Sequence, residues 1–292
     1  MKRFLSVLVF LSAAAAVYGV DSMINEAERH MEQGRHAEAV RVLRAAEAKA
    51  PENKLMRIYV ALGVNYRKLS RYDDAISYYQ KAAKLSPDMA DIYYNIGLAH
   101  YYKGSYKNAL SNYDRAIKLS PSYSEAYGAK AMAYRDAGFT DLAVKTINDA
   151  IKIDPNYAGG YNILGNCYMD RGWTESAVNM YRKAITLRPD YASAFYNLGV
   201  AYDEAGKYAS AIDAYNQSIR LNDSDGEAHH NLGIAYMKAG DYYRAIDAFK
   251  AAIRFDPENK KSYEHLVESL QKSGISREAA RWEQVMKERF RR

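Results

Sequence analysis

Apolar residues in this chain recur at helical spacing, in paired blocks separated by short polar turns. Residues 90–123 form the clearest pair. Ala90 to Lys103 reads as a helix, with Tyr93, Ile96, Gly97 and His100 on one stripe, and Gly104-Ser105 breaks it. Tyr106 to Leu119 follows as a second helix, with Ala109, Tyr113, Ala116 and Ile117 on one face. Ser120-Pro121 stops it, because proline lacks the amide a helix needs and pushes the preceding residue away from helical geometry. The helix–turn–helix pattern runs from about Val20 to the C-terminus with few strand signals. Gly63, Gly97, Ala131, Gly165, Gly199, Gly233 and Val267 mark it at intervals of 34 residues. A unit of that length cannot bury its apolar stripe alone, so neighbours must stack. The expected fold class is all-α, a solenoid of stacked antiparallel helix pairs.

Repeats starting at 56, 90, 124, 158, 192 and 226 keep more than the glycine. The first large position holds Tyr59, Tyr93, Tyr127, Tyr161, Phe195 and His229. A Leu-Gly or Ile-Gly pair stands at 62–63, 96–97, 164–165, 198–199 and 232–233, with Lys130-Ala131 in the remaining repeat. The next aromatic rung is Tyr66, His100, Tyr134, Tyr168, Tyr202 and Tyr236, and the small residue of the second helix is Ala75, Ala109, Ala143, Ala177, Ala211 and Ala245. Pro87, Pro121, Pro155 and Pro189 close four repeats, and Asp223 replaces the proline once. Glycine lets the two helices of a repeat approach, and tyrosine fills the wedge between repeats while its hydroxyl reaches a partner or water.

This pattern resembles the tetratricopeptide repeat family, over nearly all of the chain beyond residue 19. The resemblance implies a right-handed superhelical solenoid whose first helices line the concave inside. It also implies a non-catalytic protein–protein interaction module. Seven repeats are expected, near 20–53, 56–89, 90–123, 124–157, 158–191, 192–225 and 226–259, with a degenerate capping pair at 260–292. The first lacks the Leu-Gly pair, and Lys54-Leu55 are inserted before the second. No linker divides the array, so it reads as one domain.

The N-terminus departs from the pattern. Met1-Lys2-Arg3 is positive, Phe4 to Val17 is apolar, and small residues follow around Ala14-Ala15-Ala16 and Gly19. That is the layout of a signal peptide over residues 1–19, with cleavage expected after Ala16 or Gly19. The run is short of the roughly 20 residues that a spanning helix needs, which argues against an anchor. The expected location is outside the cytoplasm, in the periplasm or cell envelope, or secreted, with membrane contact only through this segment.

Composition removes several function classes. The single cysteine, Cys167, excludes an internal disulfide framework and a cysteine-built zinc cluster; a buried inert thiol is expected there. A net charge of +6, two units of it in Lys2 and Arg3, is too weak by itself to imply nucleic acid. No nucleophile elbow, phosphate loop or dinucleotide fingerprint is present, so no catalytic residue, metal or cofactor is assigned. His229-His230 are adjacent and point to different sides of a helix, and His229 fills a framework aromatic position. Asn222 to Gly226 has acidic spacing but would place Leu232 where a calcium loop needs glutamate, so it reads as an inter-repeat turn.

What remains is the inward face that the resemblance implies. Tyr94, Tyr101, Tyr102 and Tyr196 fall on it, where packing does not demand them, and tyrosine suits recognition. Asn95, Asn197 and Asn231 share a rung, with Asn162 and Asn166 nearby; such amides can pair with a peptide backbone of any sequence. Ala61, Ala129 and Ile163 interrupt the row. His230, Arg135 and Asp203 complete the candidate peptide-binding set, beside apolar Leu98, Met132, Met169, Val200, Ile234 and Met237. Acidic residues outnumber basic ones on this face, with Asp170, Asp203, Glu204 and Glu227 toward the C-terminal half, so the expected ligand is a protein segment carrying lysine or arginine. A face without a basic stripe does not suit nucleic acid. The lysine that the family's clamp for acidic C-terminal tails requires is absent: Val60, Tyr94, Gly128, Asn162, Tyr196, His230 and Glu264 fill that rung. The alternatives are a scaffold for an envelope complex, working through the convex face or the basic tail, and a small-solute accessory.

Overall fold

The computed structural model describes residues 19–291, and the expected export segment lies outside them except for Gly19. Every regular element among the described residues is an α-helix. A first helix, α1, covers residues 19–32. It is followed by α2 (His36–Glu47), α3 (Glu52–Lys68), α4 (Tyr72–Leu85), α5 (Ala90–Tyr102), α6 (Tyr106–Leu119) and α7 (Ser124–Asp136). After α8 (Thr140–Ile153) come α9 (Ala158–Met169), α10 (Thr174–Leu187), α11 (Ala192–Glu204), α12 (Tyr208–Leu221), α13 (Gly226–Lys238), α14 (Tyr242–Phe255), α15 (Lys260–Lys272) and α16 (Ser276–Arg289). Contacts group these into two compact halves that divide within α8, after Thr146, and each half is described by itself. No described helix is long and apolar enough to cross a membrane.

Odd-numbered helices are the first of each repeat, even-numbered the second. The turn between them needs one residue in the left-handed region. Gly104, at φ 78°, supplies it after α5, and Ser105 N–H then reaches back to the His100 carbonyl at 2.8 Å. Ser70 takes the same geometry at φ 58° without glycine's freedom. The inserted Lys54-Leu55 are absorbed by α3, which starts straight after Pro51 and runs 17 residues.

The glycine ladder has a specific cause. A Cβ on Gly63 would lie 2.5 Å from the Tyr79 ring, and one on Gly97 2.5 Å from Tyr113. In the C-terminal half Gly165, Gly199 and Gly233 meet Tyr181, Tyr215 and Phe249 at 2.5–2.6 Å. Those five rings are at most 2% exposed, so none can retreat. Each glycine therefore seats the flat face of an aromatic residue 16 positions on, in the second helix of its own repeat. The repeat with Ala131 at the rung has Ile147 at the matching position, so the two substitutions go together in the sequence.

Basic side chains from second helices lie over tyrosine rings. Arg115 sits 4.1 Å from the Tyr93 centroid, Lys81 4.4 Å from Tyr78 and Arg244 5.0 Å from Tyr236. Part of the chain's basic surplus is thereby engaged with its tyrosine surplus, through cation–π contacts. The acidic stretch 222–226 ends in a helix cap, where Asp225 accepts from the Glu227 and Ala228 amides at 3.1 and 3.0 Å. At the C-terminus Tyr263, Leu266, Val267 and Leu270 of α15 are buried, while Ala279 is the buried residue of α16 and Trp282 and Phe290 pack on the Tyr263 ring.

Candidate functional site

The candidate residues lie on first helices, and the structure shows what each meets. In the N-terminal half Tyr94 is half-buried, its ring 6.1 Å from Tyr113 and 5.2 Å from Tyr123. Burial raises its phenol pKa, and Glu125 adds to the rise. Tyr101 donates its hydroxyl to Asp136, and burial together with that carboxylate holds the phenol protonated. Tyr102 is 52% exposed, edge-on to Tyr101 at 5.3 Å and stacked toward Tyr72 at 6.3 Å. Asn95 turns back on its own helix, donating to the Asp91 carbonyl at 2.8 Å. Arg135 is half-buried, with its neighbour Asp136 at 3.8 Å.

In the C-terminal half several candidate residues bond to one another. Asn197 donates to Asn162 at 3.0 Å, and Asn162 is buried beside Tyr191. Asn166 accepts the Tyr181 hydroxyl at 2.8 Å. Tyr196 donates to Glu227 at 2.7 Å and accepts from Asn231 at 2.8 Å. Lys238 reaches Asp203 Oδ2 at 2.5 Å, while Asp203 Oδ1 is buried with no hydrogen-bond partner. His230 is buried, bonded through Nδ1 to Ser262 Oγ at 2.8 Å, with the His265 ring at 5.4 Å. Desolvation, helped by the charge of His265 and Lys261, lowers its pKa to about 4, so it is neutral at pH 7.

Two expectations are corrected by this geometry. Tyr94 and Tyr196 are not surplus to packing, since Tyr94 fills space against Tyr113 and Tyr123, and Tyr196 against Tyr215 at 6.0 Å. Nor do the asparagines form an open row, because Asn95, Asn162, Asn166, Asn197 and Asn231 are each engaged. For Asn162, Asn197 and Asn231 the reason is an offset. Four side-chain bonds between successive first helices span 35 residues, one more than the repeat: Tyr101 to Asp136, Asn197 to Asn162, Asn231 to Tyr196 and Lys238 to Asp203. A rung compared with itself at 34-residue intervals therefore misses its true partner.

One set of participants was not anticipated. The core tyrosines of the second helices bring their hydroxyls to the first-helix face. Tyr181 reaches Asn166, Tyr79 lies by Arg67, and Tyr215 feels the charge of Asp203, Glu204 and Glu227. Their fixed spacing from the glycine rung was the available sign. His229, expected in the core, is half-buried and stacked on Phe255 at 5.5 Å. Cys167 is buried. No cluster of three or more histidine, cysteine or carboxylate groups fit to hold a metal occurs among the described residues.

Comparison with known proteins bears on this face. A family model described as "Tetratricopeptide repeat" matches residues 60–124, 94–158, 202–260 and 230–287, and one described as "TPR repeat" matches 165–206. No curated protein sequence matches the chain. Among solved structures, a chain of the APC/C hetero-tetramer Cut9-Hcn1 is similar with a TM-score of 0.67 and 19% identity over 86% of this chain, which spans 48% of that one. A tetratricopeptide repeat protein from Parabacteroides merdae gives 0.65 and 17%, covering 86% of this chain and 98% of that one. Pseudomonas aeruginosa pilF gives 0.61 and 22%, covering 69% and 91%. At these identities the likeness is one of fold.

Proposed function

Because the chain belongs to the tetratricopeptide repeat family, a protein-interaction fold, we propose that it is a non-catalytic module holding a segment of a partner protein against its first helices. The observation behind this reading is Asp203 Oδ1, a carboxylate oxygen buried without a partner beside exposed Glu204. Burial holds the Tyr215 phenol protonated, with Asp203, Glu204 and Glu227 adding to the rise, and those three neighbouring carboxylates give the face a negative charge that suits a cationic ligand. Half-buried Val200, Ile234 and Met237 supply apolar area on the same helices. A segment with lysine or arginine set among apolar residues suits that combination. The layout of Met1 to Gly19 supports an exported protein, in the periplasm or envelope or secreted.

Calorimetric titration of the exported form with a capped lysine-containing peptide, and with its acetyl-lysine counterpart, tests the face. Acetylation and Asp203→Asn are each expected to weaken binding at least about tenfold, the loss of one charge-assisted contact. Binding indifferent to both changes would remove this face from consideration. A scaffold role through the C-terminal tail is the second reading, favoured by exposed Arg277, Arg281, Lys287 and Arg289 on α16. It predicts that deleting residues 281–292 abolishes assembly of a partner complex and leaves peptide binding intact.

A further inference from the structure

Arg67, at the C-terminal end of α3, stands apart from the pairing described above. The residue 35 positions beyond it is Tyr102, which presents the face of its ring instead of a carboxylate, with the guanidinium carbon 5.8 Å from the ring centroid. No ion pair among the described residues includes Arg67, and its Nε is buried with no hydrogen-bond partner. The Tyr79 and Tyr113 hydroxyls are in the same condition, on side chains 0% exposed. Arg67 is close enough to act on both phenols, and on Tyr94, opposing the rise that burial imposes. The guanidinium acts on the Tyr79 phenol by weak hydrogen bonding as well as by charge, in a contact that does not meet full hydrogen-bond geometry. Phenol oxygens can accept from this cation, but they bring no charge to balance it and need acceptors for their own O–H groups. No carboxylate among the described residues pairs with Arg67.

We propose that Arg67 anchors a carboxylate, supplied by an internal aspartate or glutamate side chain of the partner segment. This rests on the reading that partner segments lie along the first helices. A carboxylate has two oxygens and about four acceptor positions, enough for a guanidinium edge and neighbouring phenols. Arg67 itself is partly exposed, and the half-exposed Tyr102 over its guanidinium is the side chain that moves aside. Lys68 is exposed next to it in the chain. Of the two carboxylates that act on Tyr94, Asp91 is bonded by Tyr123 and Glu125 is exposed, so neither pairs with Arg67. The acidic-tail clamp of the family uses a different rung, filled here by Val60 and Tyr94.

The test follows the Arg67 Nε–H resonance in the exported form of the full chain during titration with a capped glutamate-containing peptide, its glutamine counterpart, and inorganic phosphate. The glutamate peptide is expected to shift that resonance and to bind at least about tenfold more tightly than the glutamine peptide, as one charge-assisted pair provides. Arg67→Gln should abolish the preference. Arg67→Lys, which keeps the charge but not the fork, should retain part of it, and Asp203→Asn should leave it intact. Equal response to both peptides overturns the proposal. Phosphate binding as tight as the glutamate peptide overturns it too, in favour of a free-anion site. Failure of the lysine peptide at Asp203 alongside success here would sink only the acidic-face reading, so the two are judged separately.

Discussion

Arg67 and Asp203 occupy the same place in their repeats, the twelfth position of the units that start at 56 and 192, and carry opposite charge. Each lies by a core tyrosine, Tyr79 in the N-terminal half and Tyr215 in the C-terminal half, and each tyrosine closes on a glycine of its own repeat. The scaffold beneath is alike, so the charge alone decides what the hydroxyl and its surroundings ask of a ligand. Lys238 answers Asp203 in part, whereas Tyr102 covers Arg67 without neutralising it. Framework and recognition are thus separate layers on one helix pair, the first set by the glycine–tyrosine contact and the second by one exchangeable side chain.

The largest expected effect probes the shared layer. Tyr79→Ala and Tyr215→Ala should each cost about 3–5 kcal/mol of unfolding free energy, as large buried rings do, and should agree within about 1 kcal/mol in urea denaturation. A loss at one site with near neutrality at the other would break the equivalence. Next comes acid. His230 is held neutral by burial, so the unfolded chain takes up its proton first, at a pKa of 6.5, while the folded chain resists to about 4. The unfolded state binds more protons across that window, so this contribution is full above pH 6.5 and fades as pH falls toward 4. Ser262, His265, Phe249 and the charges of Lys261 and Asp256 surround the ring. His230→Gln keeps a polar group for Ser262 and should narrow the gap in denaturation midpoint between pH 7 and pH 4.5. The smallest effect separates the hydroxyls. Tyr181→Phe should cost about 1 kcal/mol, because it deletes the bond to Asn166, whereas Tyr79→Phe should be near neutral, because its hydroxyl has no partner to lose.

Much of the fold could be read from the chain because its causes are local. Proline after a second helix, a left-handed glycine between helices and a small residue at the crossing each act within one repeat. Side-chain destinations on the first-helix face depend on how far one helix is shifted against the next. That shift pairs Asn231 with Tyr196 and Tyr101 with Asp136, and no property of a single repeat specifies it. Asn162 shows the consequence. Its residue type and rung suggested a ligand contact, yet the next first helix covers it with Asn197. The isolation of Arg67 emerges only once its 35-residue neighbour is seen to be an aromatic ring.

The glycine–tyrosine contact also has a bearing on inheritance. Both partners belong to one repeat, so a gene segment copied, lost or moved as a unit carries a complete interlock with it. The bonds across 35 residues join different repeats and are re-dealt whenever such a segment is shuffled. Duplication would therefore preserve a working body while scrambling its face, giving selection new surfaces on a scaffold that needs no repair.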